Sequence, residues 1–413
     1  MDNIDINTYN KILNAKSIDV VFQPIVSIIR KSIIGLEGLS RGQDPLGNII
    51  MPLDLFKIAS HQNQRTALDR LCRDRVMDCF TQIEQKNKDL LLFLNIDGSA
   101  ITEDVVGSGF MLNLASKYNL KPENIVLEIV EYDTLDINSI SKFVNNQRNY
   151  GFLIALDDVG SGHSNLDRIA IIKPDIIKID RSIVQNIHID YYKQEVFKSL
   201  VSLSKTLGSL VVAEGIELEA EAMKAIELGS DMLQGYYFAQ PQKLDATLLK
   251  SFKTPIRKLA NQYSRYLAEK INIQKKRYKE YSDIIKLVLE DISSVDEKKF
   301  NFKLIELIDK YDIFECLYVL DPTGIQVTDT VTPFVSATRH KGLMFHPAKK
   351  GEDHSLKKYY YFLKNMKLSK YLTEPYISLA TGNLCITMAC VFKNIDDKKF
   401  ILCVDLNPDY LNI

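Results

Sequence analysis

The chain lacks any apolar run long enough to cross a bilayer. Its longest, LLLFL at 90–94 and IVLEIV at 125–130, fall far short of the ~20 residues that a spanning helix needs. It also lacks an excess of either charge: 52 Lys+Arg stand against 53 Asp+Glu, net −1, so no general basic field gathers DNA. The opening MDNIDINTYN has no basic start and no apolar core, which excludes a secretory signal. Cysteine is scarce and unpaired in sequence. The six, at 72, 79, 316, 385, 390 and 403, form no CxxC and no disulfide framework, a usage that suits reduced thiols and a cytoplasmic setting. What remains, 413 residues at 46% hydrophobic and 25% charged, is an ordinary globular composition with room for two domains.

The near-zero charge hides a split. Residues 1–250 carry 26 basic and 33 acidic residues, whereas residues 251–413 carry 26 and 20. A boundary near 250 follows. Before it, short β-branched segments recur at 19–26, 32–39, 90–96, 125–130, 152–157, 176–180, 210–214 and 232–236. Amphipathic stretches at 66–86, 138–149, 191–207 and 218–228 separate several of them. Eight continuous apolar strands alternating with helices predict an α/β fold of the (β/α)8 barrel type. An open doubly wound sheet is the runner-up, weakened because no glycine-rich dinucleotide loop follows the first strand.

Polar residues close these strands: Glu37, Asn95, Glu128, Asp157 with Asp158, Lys178, Glu214 and Gln234. A single strand-end carboxylate is more often a helix cap or a solvated loop residue. Seven successive strands offering one at the same end favour a shared active-site rim. Carboxylates meeting there repel unless a cation neutralises them. An all-oxygen set without Cys or His favours Mg2+, Mn2+ or Ca2+ over zinc. Adjacent Asp157 and Asp158 suit a pair of ions bridged by one carboxylate, an arrangement that splits phosphodiesters.

These residues sit in an ordered series of motifs: FQPIV (22–26), EGLSR (37–41), LNIDGS (94–99), EIVE (128–131), DDVGSGHSNL (157–166), KPDIIKID (173–180), AEGIE (213–217) and LQGYYFAQP (233–241). The series resembles the EAL-domain cyclic di-GMP phosphodiesterases across nearly all of residues 15–250, with Gly38 in place of the usual alanine. The resemblance implies a modified barrel with one antiparallel strand. It also implies hydrolysis of cyclic di-GMP to linear pGpG with two Mg2+ or Mn2+ ions, Ca2+ binding and inhibiting. Glu37, Asn95, Glu128 and Asp157 would hold the first metal; Asp157 would bridge to the second, with Asp158 and Glu214 nearby. Lys178 would orient and activate the attacking water, Glu131 would fix a loop, and Glu217 and Gln234 would support the site. Arg41 would contact a substrate phosphate, and Gln23 and Leu39 would line the nucleotide cleft. Val159 and His163 stand where the family commonly has aromatics, His163 reading as a loop residue. The family favours a homodimer.

Residues 252–290 read as one long helix, a connector spanning 251–295. From 296 the pattern is α+β: a helix at 302–311 and strands near 314–320, 324–329, 376–379, 384–392 and 400–405, with a DPTG hairpin turn at 321–324. YVLDPTGIQVTDT and YLTEPYISLATGN resemble the PAS/Cache-like sensory module of the YkuI type found after some EAL domains. That implies a sensor or dimerisation module with an unspecified ligand. Cys316, Cys385, Cys390 and Cys403 read as core, and His340, His346 and His354 as a solvated loop. The competing functional reading is a receptor that binds cyclic di-GMP without turnover and signals through this module.

Overall fold

A computed structural model describes residues 6–44, 46–84, 89–101, 106–129, 137–161, 166–243, 248–333 and 345–407. Two compact units divide the chain, the first running to Arg265 and the second starting at Tyr266.

The first unit is a closed barrel. Its strands are β1 (Ile18–Ser27), β2 (Ser32–Gln43), β4 (Leu91–Ile96), β5 (Ile125–Ile129), β6 (Leu153–Val159), β7 (Ile176–Ile179), β8 (Leu210–Ala213) and β9 (Met232–Gln234), with a two-residue β3 (Ile49–Ile50) on the edge of β2. Neighbours run β1-β9-β8-β7-β6-β5-β4-β2, and a β1–β2 pairing closes the ring. All eight expected segments are strands. The antiparallel member is β1, opposed to both β2 and β9. Its orientation follows from chain length: only residues 28–31 join β1 to β2, a hairpin link, whereas a parallel pair needs a crossover of about a dozen residues. One expectation shifts. Glu37 does not end β2, which continues to Gln43 by pairing with β1 and β3; the parallel pairing to β4 is what stops, at Gly38.

Side-chain alternation builds the barrel in layers. Ile25, Phe93, Val126, Ala155, Ile176, Val212 and Met232 fill the interior as one buried cluster. Residues one step away, such as Leu92, Leu127, Ile154, Ile177 and Val211, face outward and pack under helices including Arg65–Glu84, Ile137–Asn149 and Tyr191–Leu207. A layer needs room as well as filling: a Cβ at Gly35 would stand 2.6 Å from the Phe93 ring.

The long helix spans Lys253–Ser293. Ile256, Leu259 and Ala260 belong to the barrel unit's core, and Tyr281, Ile285, Val288 and Ile292 to that of the second unit. The second unit is an antiparallel sheet in the order β10-β14-β13-β11, built from β10 (Phe314–Leu320), β11 (Lys370–Leu372), β13 (Leu384–Lys393) and β14 (Lys399–Leu406), with β12 (Tyr376–Ile377) also on β13. One face packs on the helix Phe300–Ile308 and the end of the long helix, the other on the helix Lys358–Met366. That last helix and β11 have no counterpart in the sequence reading. The DPTG turn forms, Gly324 donating to the Asp321 carbonyl at 3.1 Å. Its second arm, expected as a strand at 324–329, makes only isolated bridges. The four C-terminal cysteines are buried as expected. His346 is exposed, but His354 corrects the loop reading: it is half-buried, with Nδ1 2.8 Å from the Tyr359 hydroxyl. His340 and His163 lie outside the described residues. Among the described residues, no helix is long and apolar enough to cross a membrane.

Candidate active site at the barrel rim

The same two-residue period that fills the barrel positions its chemistry. Two steps along each strand from the apolar layer stand Gln23, Glu37, Asn95, Glu128, Asp157, Lys178, Glu214 and Gln234. Each of the eight strands, or the residue that follows it, thus supplies a polar side chain to one level above the apolar layer.

Lys178 is the centre. It is 1% exposed, and its Nζ lies 2.6 Å from Glu214 Oε1, 2.7 Å from Glu128 Oε1, 3.0 Å from Asp157 Oδ1 and 3.7 Å from Glu37 Oε2. Burial alone would push this ammonium down, but Asp157, Glu128, Glu214 and Glu37 outweigh it and hold it well above the usual lysine range. The carboxylates differ. Burial, and then the charge of Glu37, push Glu128 well up; burial and Asp157 do the same to Glu214. Glu37 goes the other way: burial raises it, yet Lys178 and hydrogen bonds from Asn95 and Gln234 bring it below its ordinary value. Asn95 Nδ2 donates to Glu37 Oε1 at 2.8 Å, and Gln234 Nε2 to Glu37 Oε2. Gln234 also donates to Gln23 Oε1 at 3.1 Å, and Gln23 donates to the Ala239 carbonyl at 3.1 Å.

Adjacent residues on a strand point to opposite faces, yet Asp157 and Asp158 both reach the site. The cause is a bulge. Between Leu156 and Val159 the register to β7 slips, so both aspartates oppose Lys178, and Asp158 takes a left-handed φ of +55°. Carboxylate oxygens of Asp157, Asp158 and Glu214 then lie within 4.8 Å of one another. Burial and Asp157 push Asp158 up to about 6. Glu128 Oε2 is buried with no hydrogen-bond partner, an expensive state for a carboxylate. An all-oxygen donor set with an orphaned buried oxygen fits a hard divalent cation.

A cavity of about 340 Å3 opens beside the cluster, with Glu37, Leu39, Asn95, Asp157 and Asp158 in its wall. Its far side holds residues that the sequence reading missed. Asp69 and Arg73 form a buried i,i+4 ion pair on the helix Arg65–Glu84, Asp69 Oδ1 accepts the Asp97 amide at 3.3 Å, and Asp97 pairs with Arg65 at 2.8 Å. The available signal was charge on the apolar stripe of an amphipathic helix. Gly38 is explained here as well: a Cβ would meet Val76 Cγ1 at 2.1 Å, so Val76 occupies the space of the family's alanine methyl. The other expected residues are spread more widely. Arg41 is half-buried beside Glu37 and Tyr236, its Nη1 donating to the Ser40 carbonyl at 2.8 Å. Glu217 lies outside the Lys178 cluster, paired with Arg181 at 2.9 Å. Glu131 falls outside the described residues.

A family model, the EAL domain, matches residues 6–241. The chain belongs to the EAL domain family. An uncharacterised EAL-domain protein of Bacillus subtilis, YkuI, is 26% identical over 429 aligned positions covering 100% of this chain and 98% of YkuI. The crystal structure of YkuI in complex with substrate c-di-GMP and calcium superposes with a TM-score of 0.77 at 25% identity, covering 98% of this chain and 99% of that one. The cyclic di-GMP phosphodiesterase RocR of Pseudomonas aeruginosa is 27% identical over 54% of this chain and 57% of its own length. Klebsiella pneumoniae BlrP1, solved with manganese and cy-diGMP, matches at a TM-score of 0.50 and 25% identity over 55% of this chain and 56% of its own. EAL relatives such as RocR are thus cyclic di-GMP phosphodiesterases.

Proposed function

We propose that this EAL protein hydrolyses cyclic di-GMP to linear pGpG in the cytosol, using two divalent cations, Mg2+ or Mn2+. The observation that carries the reading is the polar layer itself. Five carboxylates (Glu37, Glu128, Asp157, Asp158 and Glu214) surround one ammonium, a formal excess of about four negative charges that two divalent ions balance. The calcium and manganese complexes of YkuI and BlrP1 support it. Glu37, Asn95, Glu128 and Asp157 would hold one ion, with Asp157 bridging to a second beside Asp158 and Glu214. Bound there, the ions would polarise the phosphodiester and acidify an attacking water. Ca2+, larger and less demanding of geometry, is expected to bind and inhibit.

The chain's own groups do the rest. Lys178, in ion-pair contact with Glu128, Asp157 and Glu214, would orient and help activate the attacking water and offer positive charge where the phosphoryl oxygens gain negative charge. Asn95 and Gln234 each donate to one Glu37 oxygen and so fix its plane, and Gln23 anchors Gln234. Arg41 stands near enough to the site to turn its planar fork to a substrate phosphate, and Leu39 lines the apolar side of the cavity. Glu217 acts through Arg181 on the short helix Arg181–Val184 after β7. Glu131 keeps the loop-fixing role that the family resemblance implies. The organisation proposed is a catalytic barrel (1–250), a connector helix (251–295) and a PAS/Cache-like sensory module (296–413) that binds a ligand of its own and tunes turnover in a homodimer.

The test is incubation of the full chain with cyclic di-GMP under Mg2+, Mn2+ or Ca2+, with chromatography of products and calorimetry of binding. The expected product is pGpG under Mg2+ or Mn2+ and none under Ca2+. Tight binding without pGpG under any metal would replace the enzyme with a non-hydrolysing receptor, and absence of binding would overturn both.

A further inference from the structure

The helix Lys358–Met366 buries Tyr359, Tyr360 and Leu363 against the C-terminal sheet. At about 100° per residue these three share one arc, and Tyr361 and Phe362 fall outside it. The outer face carries apolar side chains among polar ones: Tyr361 is 58% exposed and Met366 59%, with exposed Lys358 and Asn365 between them around the helix, and Leu356, just ahead of the helix, is 90% exposed. Phe362 is held flat against Tyr371 at a ring distance of 4.7 Å, so this face is ordered. Around it stand Lys357, Lys358, Lys364 and Lys367, with no acidic residue from Leu356 to Lys370. All four are exposed, and none is ion-paired among the described residues, Lys364 donating to the Tyr360 hydroxyl at 3.0 Å. Lys357 and Lys358 open the helix, the end at which its dipole opposes cations. Helix stability therefore does not account for their presence.

We propose that this face docks on an anionic lipid surface. Tyr361, Met366 and Leu356 would enter the boundary between headgroups and acyl chains, and the lysines would lie level with the lipid phosphates. Charge complementarity decides the occupant. Two copies meeting through this face about a twofold axis would set four lysines against four, whereas the cytoplasmic leaflet offers a continuous negative field. The apolar patch is small, so attachment needs both parts and weakens as salt screens the charges.

Flotation of the full chain with vesicles of phosphatidylcholine, alone or mixed with phosphatidylglycerol, tests this. The expected result is binding to phosphatidylglycerol vesicles at low salt, release at high salt and none to phosphatidylcholine. At about fivefold per lysine, the triple change Lys357→Gln, Lys358→Gln, Lys367→Gln lowers partitioning about a hundredfold. Tyr361→Ser with Met366→Ser lowers it about tenfold. Unchanged thermal unfolding shows that the variants are folded. Equal binding to both vesicle types, failure to bind phosphatidylglycerol, or binding that survives the triple change overturns the proposal. So does a self-association that the triple change abolishes, which would give the face to a second copy.

Discussion

Each unit buries carboxylates in a sheet, and the two treat them in opposite ways. In the C-terminal sheet Asp405 sits opposite Cys316 on one side and Thr387 on the other. Thr387 Oγ1 donates to Asp405 Oδ1 at 2.7 Å and Cys316 Sγ to Oδ2 at 3.0 Å. Cys385 adds a longer contact at 3.8 Å, and the Tyr376 hydroxyl lies 2.6 Å from Thr387. Both oxygens are satisfied by neutral donors, and burial pushes the carboxyl up and the neighbouring thiols with it. The barrel instead gathers five carboxylates about one ammonium, leaves Glu128 Oε2 without a partner and opens a cavity at its edge. The difference separates structure from function. A buried acid that its own fold completes specifies packing, and a buried set that the fold leaves incomplete awaits a ligand.

The sharpest break of this comparison is Glu37→Ala. It removes a carboxylate and two hydrogen bonds at the centre, and pGpG formation should fall at least about a thousandfold; normal turnover would move the site elsewhere. Lys178→Met should cost about a hundredfold or more in kcat. It should also lower the stability of the metal-free protein, because four carboxylates lose their one counter-charge. Saturating Mn2+ should stabilise the unmodified chain by about 3 kcal/mol at a hundredfold excess over Kd, read as a higher melting temperature, and EDTA should reverse this. Asp405→Ala should cost about 2–3 kcal/mol of stability by orphaning Thr387 and Cys316, and Mn2+ should not restore it. Asp405 also carries a pH signature. Its folded pKa is raised, so its contribution is full below the ordinary carboxylate range and is lost as pH rises through the folded value. Asp405→Asn should flatten that part of a stability–pH profile measured by denaturant titration. The smallest effect expected is Gly38→Ala, about 1–3 kcal/mol from overpacking against Val76. The double variant with Val76→Ala should lie closer to the unmodified chain, and additive losses would mean the two side chains do not share that space.

Most of the barrel was legible because short runs of apolar, β-branched residues are a local property. The run FLIALD marks a strand wherever it is placed, whereas the reversal between β1 and β2 became plain only in the fold. The polar rim was legible for the same reason: Glu128, Lys178 and Glu214 each stand at or near the end of such a run. The second unit was harder. The helix Lys358–Met366 opens on lysines and is rich in tyrosine, so neither caps nor propensity announce it. Residues 324–329 have strand-like composition but find only isolated bridges. Packing made those decisions, and packing is not local.

The sequence by itself determined eight strands, the strand ends that carry the polar groups and the oxygen-only character of the set. Those follow from spacing and side-chain chemistry along one chain. An antiparallel strand was implied only by the family resemblance, and the fold identifies it as β1. Only the tertiary structure decided that Lys178 stands within ion-pair distance of four carboxylates, that a bulge turns Asp158 to the same side as Asp157, and that Val76 fills the space above Gly38. Each depends on distances between strands or helices far apart in the chain. Closure of the barrel sets those distances, and no period in the sequence encodes them.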